Sequence, residues 1–135
     1  MNAKQEKIAN LTDKAQRDLK AAEVLLREDD ADFHSGSICF HCQQCVEKYF
    51  KAFLASNDIH APNTHDLVYL CTLCSDFDAQ FDSFDLSGFA SYGVDIRYDV
   101  PIPTLDEAKN AFETSVKITQ YVKRCIFTEG EQCQD

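Results

Sequence analysis

The chain has 135 residues, 44% of them apolar, with 23 acidic against 13 basic side chains and a formal net charge of −10. That length supports one hydrophobic core without metal or disulfide staples, and not two; no apolar run approaches the ~20 residues that a membrane-spanning helix needs. An acidic surface argues against a general nucleic-acid binder, a local basic pocket excepted, because phosphate binding relies on basic side chains that release counterions.

The opening stretch from Met1 to Lys14 has no apolar signal core. The seven cysteines, an odd number, are expected to be mostly reduced thiols of a cytoplasmic protein. Pro and Gly fall almost entirely outside four stretches of helical periodicity, and no segment alternates like a strand between hairpin turns, so the fold class is all-α.

The first helix is predicted from Lys4 to Arg27, with Ile8, Leu11, Ala15, Leu19, Ala22 and Leu26 forming one core-facing stripe. Glu28, Asp29 and Asp30 oppose the macrodipole at its end, and with Ala31 and Asp32 they read as a turn. The second helix is predicted from Phe33 to Asn57. It places Ile38, Cys42, Cys45, Tyr49, Ala52 and Phe53 on a core side and Gln44, Glu47, Lys48 and Lys51 on a polar side. Pro62 breaks the helical pattern, and Asn63 or Thr64 is expected to cap a short third helix carrying Leu67, Leu70 and Leu73.

From Ser75 to Pro103 the sequence is acidic, aromatic and rich in turn formers, with a short helix expected near Phe84 to Tyr92. Thr104 and Glu107 have the T-x-x-E form of a capping box. Ala108, Ala111, Phe112, Ser115, Ile118, Val122 and Ile126 then form the buried stripe of the last helix, and residues 129–135 are expected to fray as an acidic tail. The expected architecture is a single domain over residues 1–128, an up-and-down bundle of four main helices plus the short fifth.

The run Phe40-His41-Cys42-Gln43-Gln44-Cys45-Val46-Glu47-Lys48-Tyr49-Phe50-Lys51-Ala52-Phe53-Leu54 resembles the F-x-x-Q-Q-A-x-E-K-x-x-K-A-x-L signature of HEPN domains, helical modules named for nucleotide binding in higher eukaryotes and prokaryotes. Other pieces follow in order: Asp18-Leu19 with Ala22 and Leu25, His65-Asp66-Leu67 with Leu70, Tyr92 before Arg97-Tyr98, and an Ala-rich last helix. Two departures stand out. Cys45 replaces the usual alanine, one small side chain for another, and Arg97-Tyr98-Asp99 stands where the family commonly reads R-Y-P.

The resemblance implies an interaction module: a homodimer that partners a separate small nucleotidyltransferase in a toxin–antitoxin-like pair. Such a module would present or sense a nucleotide, or RNA, through Gln44, Glu47, Lys48, Lys51, His65, Arg97, Tyr98 and Asp99. No cofactor is implied. HEPN ribonucleases carry R-x4-6-H near a late helix, the arginine holding the phosphate and the histidine moving protons. No histidine follows Arg97 here. The spacing from Arg27 to His34 is the nearest formal match, and it falls between the first two helices. A metal-independent ribonuclease using His34 or His65 is the alternative reading.

Three further groups have competing readings. Cys39, Cys42 and Cys45 with His41, joined by Cys71 and Cys74, superficially resemble zinc or cluster ligands, but no Gly or Pro interrupts the helix that carries them. Core packing is favoured over a metal or redox role. The Gln44-to-Lys51 row reads equally as a solvated stripe with a Glu47–Lys51 pair or as a binding groove. Arg97, between Asp95 and Asp99, suits either a loop-locking salt bridge or phosphate recognition.

Overall fold

The computed structural model describes residues 1–89 and 101–127, which form four α-helices and no strand. The first, α1 (Ala3–Leu26), starts at a capping box that its sequence hides behind Met1: Gln5 N–H donates to Asn2 Oδ1 at 2.8 Å, and Asn2 N–H donates to Gln5 Oε1 at 3.0 Å. A 3-10 turn at Ala31–His34 leads into α2 (Ser35–Ser56), two residues later than periodicity predicts, because that turn takes up Phe33 and His34.

α2 closes with a Schellman arrangement, Asp58 N–H donating to Ala55 O and Ile59 N–H to Leu54 O. Asp58 occupies the left-handed region at φ 62°, a conformation usually left to glycine. Its carboxylate meets Lys4 Nζ at 3.0 Å, tying the start of α1 to the end of α2.

α3 (Leu67–Ser75) is capped by Asp66, whose carboxylate accepts from Tyr69 N–H at 3.1 Å. Asn63 and Thr64, the expected caps, stand too early. Thr64 Oγ1 instead accepts from Asp66 N–H, which uses the hydroxyl in the turn before the helix. Within the short helix expected near Phe84 to Tyr92 the described residues form a 3-10 turn at Ser87–Phe89, and a second 3-10 turn, Ala79–Ser83, precedes it. Asp78 and Asp85 direct these turns by accepting from Gln80 N–H and Ser87 N–H, which competes with a continuous helix. Residues 90–92 of that expectation and the predicted tail lie outside the described residues. α4 (Leu105–Ile126) begins at the predicted capping box, with Thr104 and Glu107 bonded reciprocally at 3.1 Å.

α2 is the central helix, packed against α1, α3 and α4. α1 runs antiparallel to it, since Lys4 meets Asp58 while Asp18 meets His41. α4 runs parallel to it: Ser115 Oγ donates to Cys42 O at 3.4 Å, and Thr119 Oγ1 stands 3.6 Å from Cys45 Sγ one turn further on. α3 starts beside Glu47, which His65 contacts, and ends with Cys74 against Phe50. The first 3-10 turn after α3 inserts Phe81, fully buried, among Phe50, Phe53, Phe84 and Tyr121, its ring centroid 4.5 Å from that of Phe53. The Tyr121 hydroxyl donates to Asp78, which pushes the phenol pKa up and fixes the turn to α4. Among the described residues no helix is long and apolar enough to cross a membrane.

Phe81 thus joins α2, α3 and α4 at one point. Phe81→Ala is expected to cost about 3–5 kcal/mol, read as a lowered midpoint of urea unfolding.

Candidate functional site

The row Gln44, Glu47, Lys48 and Lys51 is one stripe on a helical wheel, but α1 on one flank and the connection before α3 on the other divide it. Glu47 is only 5% exposed. Its Oε1 stands 2.8 Å from His65 Nδ1 and its Oε2 accepts from Lys51 Nζ at 3.1 Å, so a buried carboxylate is closed by two partners. Lys48 turns the other way, onto Asp18 of α1, and the same carboxylate meets His41 Nδ1 at 3.0 Å. Beside this pair Tyr49 donates to Gln16 Oε1 at 3.0 Å. Gln44 sits half-buried between the two clusters, with exposed Phe40 one turn before it.

Of the two readings of this row, the solvated stripe does not describe Glu47, which is buried, or Lys48, which is held against α1. A charge this far from water is stable only where partners satisfy it, so the Asp18 and Glu47 carboxylates are structural anchors as well as polar surface. His65, expected just after a helix cap, instead precedes the cap Asp66. Its side chain is 54% exposed although its Nδ1 is held by Glu47. Donation from Nδ1 leaves Nε2 directed away from the carboxylate, a geometry compatible with proton transfer to an outside group. Arg97, Tyr98 and Asp99 lie outside the described residues.

His34 does not join this cluster. It pairs with Asp30 at 3.3 Å, while Arg27 pairs with Glu23 at 3.7 Å, so the formal Arg27–His34 match makes no common site. His34 stands just before α2 and Glu47 lies 13 positions further on. At 1.5 Å per residue the two are about 20 Å apart along the axis.

Five of the six described cysteines occupy packing positions, and Cys125 in the last turn of α4 is exposed. Cys39, Cys42 and Cys45 are fully buried on the core side of α2, Cys71 donates to Phe81 O at 3.3 Å, and Cys74 donates to Phe50 O at 3.6 Å. Burial pushes the thiol of Cys39 up to about 11 and those of Cys42 and Cys45 to about 12. Burial likewise raises Cys71 to about 11, and Cys74 moves upward for the same reason. These groups favour the neutral thiol over the thiolate that metals and oxidants attack.

Sequence reasoning passed over Asp18 and His41 as partners, and it placed Gln43 only within the family signature. Asp18 carried a signal: it adjoins the apolar stripe of α1, where a lone carboxylate requires a cation from a neighbouring helix. Gln43 lies one and two turns before Glu47 and Phe50 on the α3-facing side of α2, which marks it as a buried amide.

Asp18→Ala leaves Lys48 and His41 without their shared carboxylate and is expected to cost about 1–3 kcal/mol, measured by thermal or urea unfolding. Native alkylation at pH 8 should leave Cys39, Cys42, Cys45, Cys71 and Cys74 unmodified, and added urea should expose all five to mass-spectrometric labelling. The folded state holds these protons more tightly than an unfolded chain whose thiols titrate near 9. Their contribution to stability is therefore complete below that pH and is lost as pH rises towards 11 and 12.

Comparison with known proteins bears on the whole of this arrangement. A search of curated proteins gives no match. Among solved structures, the fold is similar to the crystal structure of an archaeal HEPN homologue, with a TM-score of 0.60 and 22% identity over 89% of this chain and 98% of that one. The family model of the HEPN domain matches residues 8–125, from the first buried residue of α1 to the last turn of α4. That span takes in every helix and both carboxylate clusters, and the chain belongs to the HEPN domain family.

Proposed function

We propose that this chain is an interaction module, a single cytoplasmic domain over residues 1–128 that self-associates and serves as the partner of a small nucleotidyltransferase. The observation that carries this reading is the outer side of α2. Phe33, in the turn leading into the helix, is 84% exposed and Phe40 is 45% exposed. Aromatic side chains left in water beside polar neighbours are the composition of a contact surface. Gln44 continues that side, and the clusters that hold Lys48 and Lys51 keep both cations in place at its edges. A nucleotide phosphate presented by the transferase would meet Lys51 and His65, and the sequence offers Arg97, Tyr98 and Asp99 as further contact residues.

A second reading is favoured by one specific geometry. The buried Glu47 orients the half-exposed His65 through Nδ1, as a metal-independent ribonuclease would require of a proton-transferring histidine.

Light scattering should give twice the 15.3 kDa chain mass, and Phe40→Asp should weaken self-association at least about tenfold, the loss of one buried aromatic contact. A small nucleotidyltransferase should be encoded beside this chain, and it should co-elute with the wild type. A monomer with no affinity for that enzyme or for any nucleotide overturns the proposal. RNA cleavage by pure protein, abolished in His65→Ala or His34→Ala, would establish the enzyme reading in its place.

A further inference from the structure

Gln43 is 1% exposed, and its Oε1 is buried without a hydrogen-bond partner. An amide oxygen left so bears its full desolvation cost with nothing to offset it, while an apolar side chain of similar length at the same place would bear none. The residue also lines a cavity of about 240 Å³, walled by Leu67, Val68, Leu86 and Phe89, to which His65 and Asp66 supply the other polar groups. The cavity lies between α2, the first turn of α3 and the 3-10 turn at Ser87–Phe89.

From this we infer that the cavity is a binding site for a small uncharged molecule with a flat apolar body and one N–H or O–H donor, which Gln43 Oε1 accepts. The terminal amide torsion of glutamine is soft, so the oxygen meets a donor in the cavity by rotating in place. The walls select an apolar body, since a charged one would lose its hydration against them without gaining a partner. The volume is below the ~300–1,000 Å³ of sites for drug-sized ligands, which limits the occupant to one or two fused rings. The site is independent of the partner-binding reading: of the residues used there it shares only His65.

The test titrates the full chain with indole, which carries an N–H, and with 1-methylindole, which does not, followed by heteronuclear NMR. Indole should shift the amide signals of Leu67, Val68 and Leu86, and 1-methylindole should bind about tenfold more weakly, the value of one hydrogen bond. Gln43→Met should abolish that preference. Val68 is 59% exposed, so Val68→Trp can fill the cavity mouth without disturbing the core, and it should abolish binding of both probes. No indole binding, equal affinity for the two probes, a preference that survives Gln43→Met, or indole binding unaltered by Val68→Trp each overturns the inference. An ordered water on Gln43 that neither probe displaces does so too. Should Gln43→Met fail to fold, the comparison of probes and the Val68→Trp variant still decide.

Discussion

Because α2 is covered by α1, α3 and α4, with 14 of its 22 residues buried, a polar group on it must either reach the remaining open strip or bring its partner along. Glu47 brings two, one from its own next turn and one from the connection to α3. Lys48 reaches Asp18 across the α1 seam. Tyr49 keeps its ring in the core and passes its hydroxyl to Gln16. The same constraint explains the cysteines, which are small enough to sit where helices approach closely and polar enough to bond a carbonyl or hydroxyl. Cys45, in the place where the family signature has alanine, stands within reach of Thr119 on α4 and so adds a weak polar contact to a seam of small side chains.

Much of this was legible in the sequence. The 3.6-residue period placed Ile8, Ala15, Leu19 and Ala22 on one buried stripe, and Thr104 with Glu107 marked the start of α4 to the residue, because a capping box couples two side chains to two backbone amides. Asp66 was passed over as the α3 cap because Asn63 and Thr64 are equally competent in composition; which of them is used depends on where the chain leaves the Pro62 turn. The 3-10 turns at Ala79–Ser83 and Ser87–Phe89 have no periodicity to read, since aspartate side chains and not an apolar stripe set their course.

The candidate site was half legible for a related reason. A helical wheel gives direction from an axis and nothing of what stands beyond it. Glu47 and Lys51 were placed together correctly as an i, i+4 pair. That His65 would close over them, and that Lys48 would turn to a different helix, depends on contacts 18 and 30 residues away in the chain. The helical period places Gln43 on the buried side of α2, but that its amide oxygen finds no partner there depends on the packing around it.

The parallel packing of α4 on α2 has a kinetic side. Contacts between α1 and α2 nearest their connection join residues 23 to 33 apart, as at Asp18–His41 and Gln16–Tyr49, and Lys4–Asp58 at the far ends joins residues 54 apart, whereas the contacts that seat α4 join residues 73 and 74 apart. Closing the shorter loops costs less chain entropy, and local contacts form sooner. The α1–α2 hairpin is thus the natural nucleus, and docking of α4 is the late step. Until that step the hydroxyls of Ser115 and Thr119 are in water and Cys42 and Cys45 face it, so a nascent chain still short of α4 carries reactive thiols that the finished protein hides.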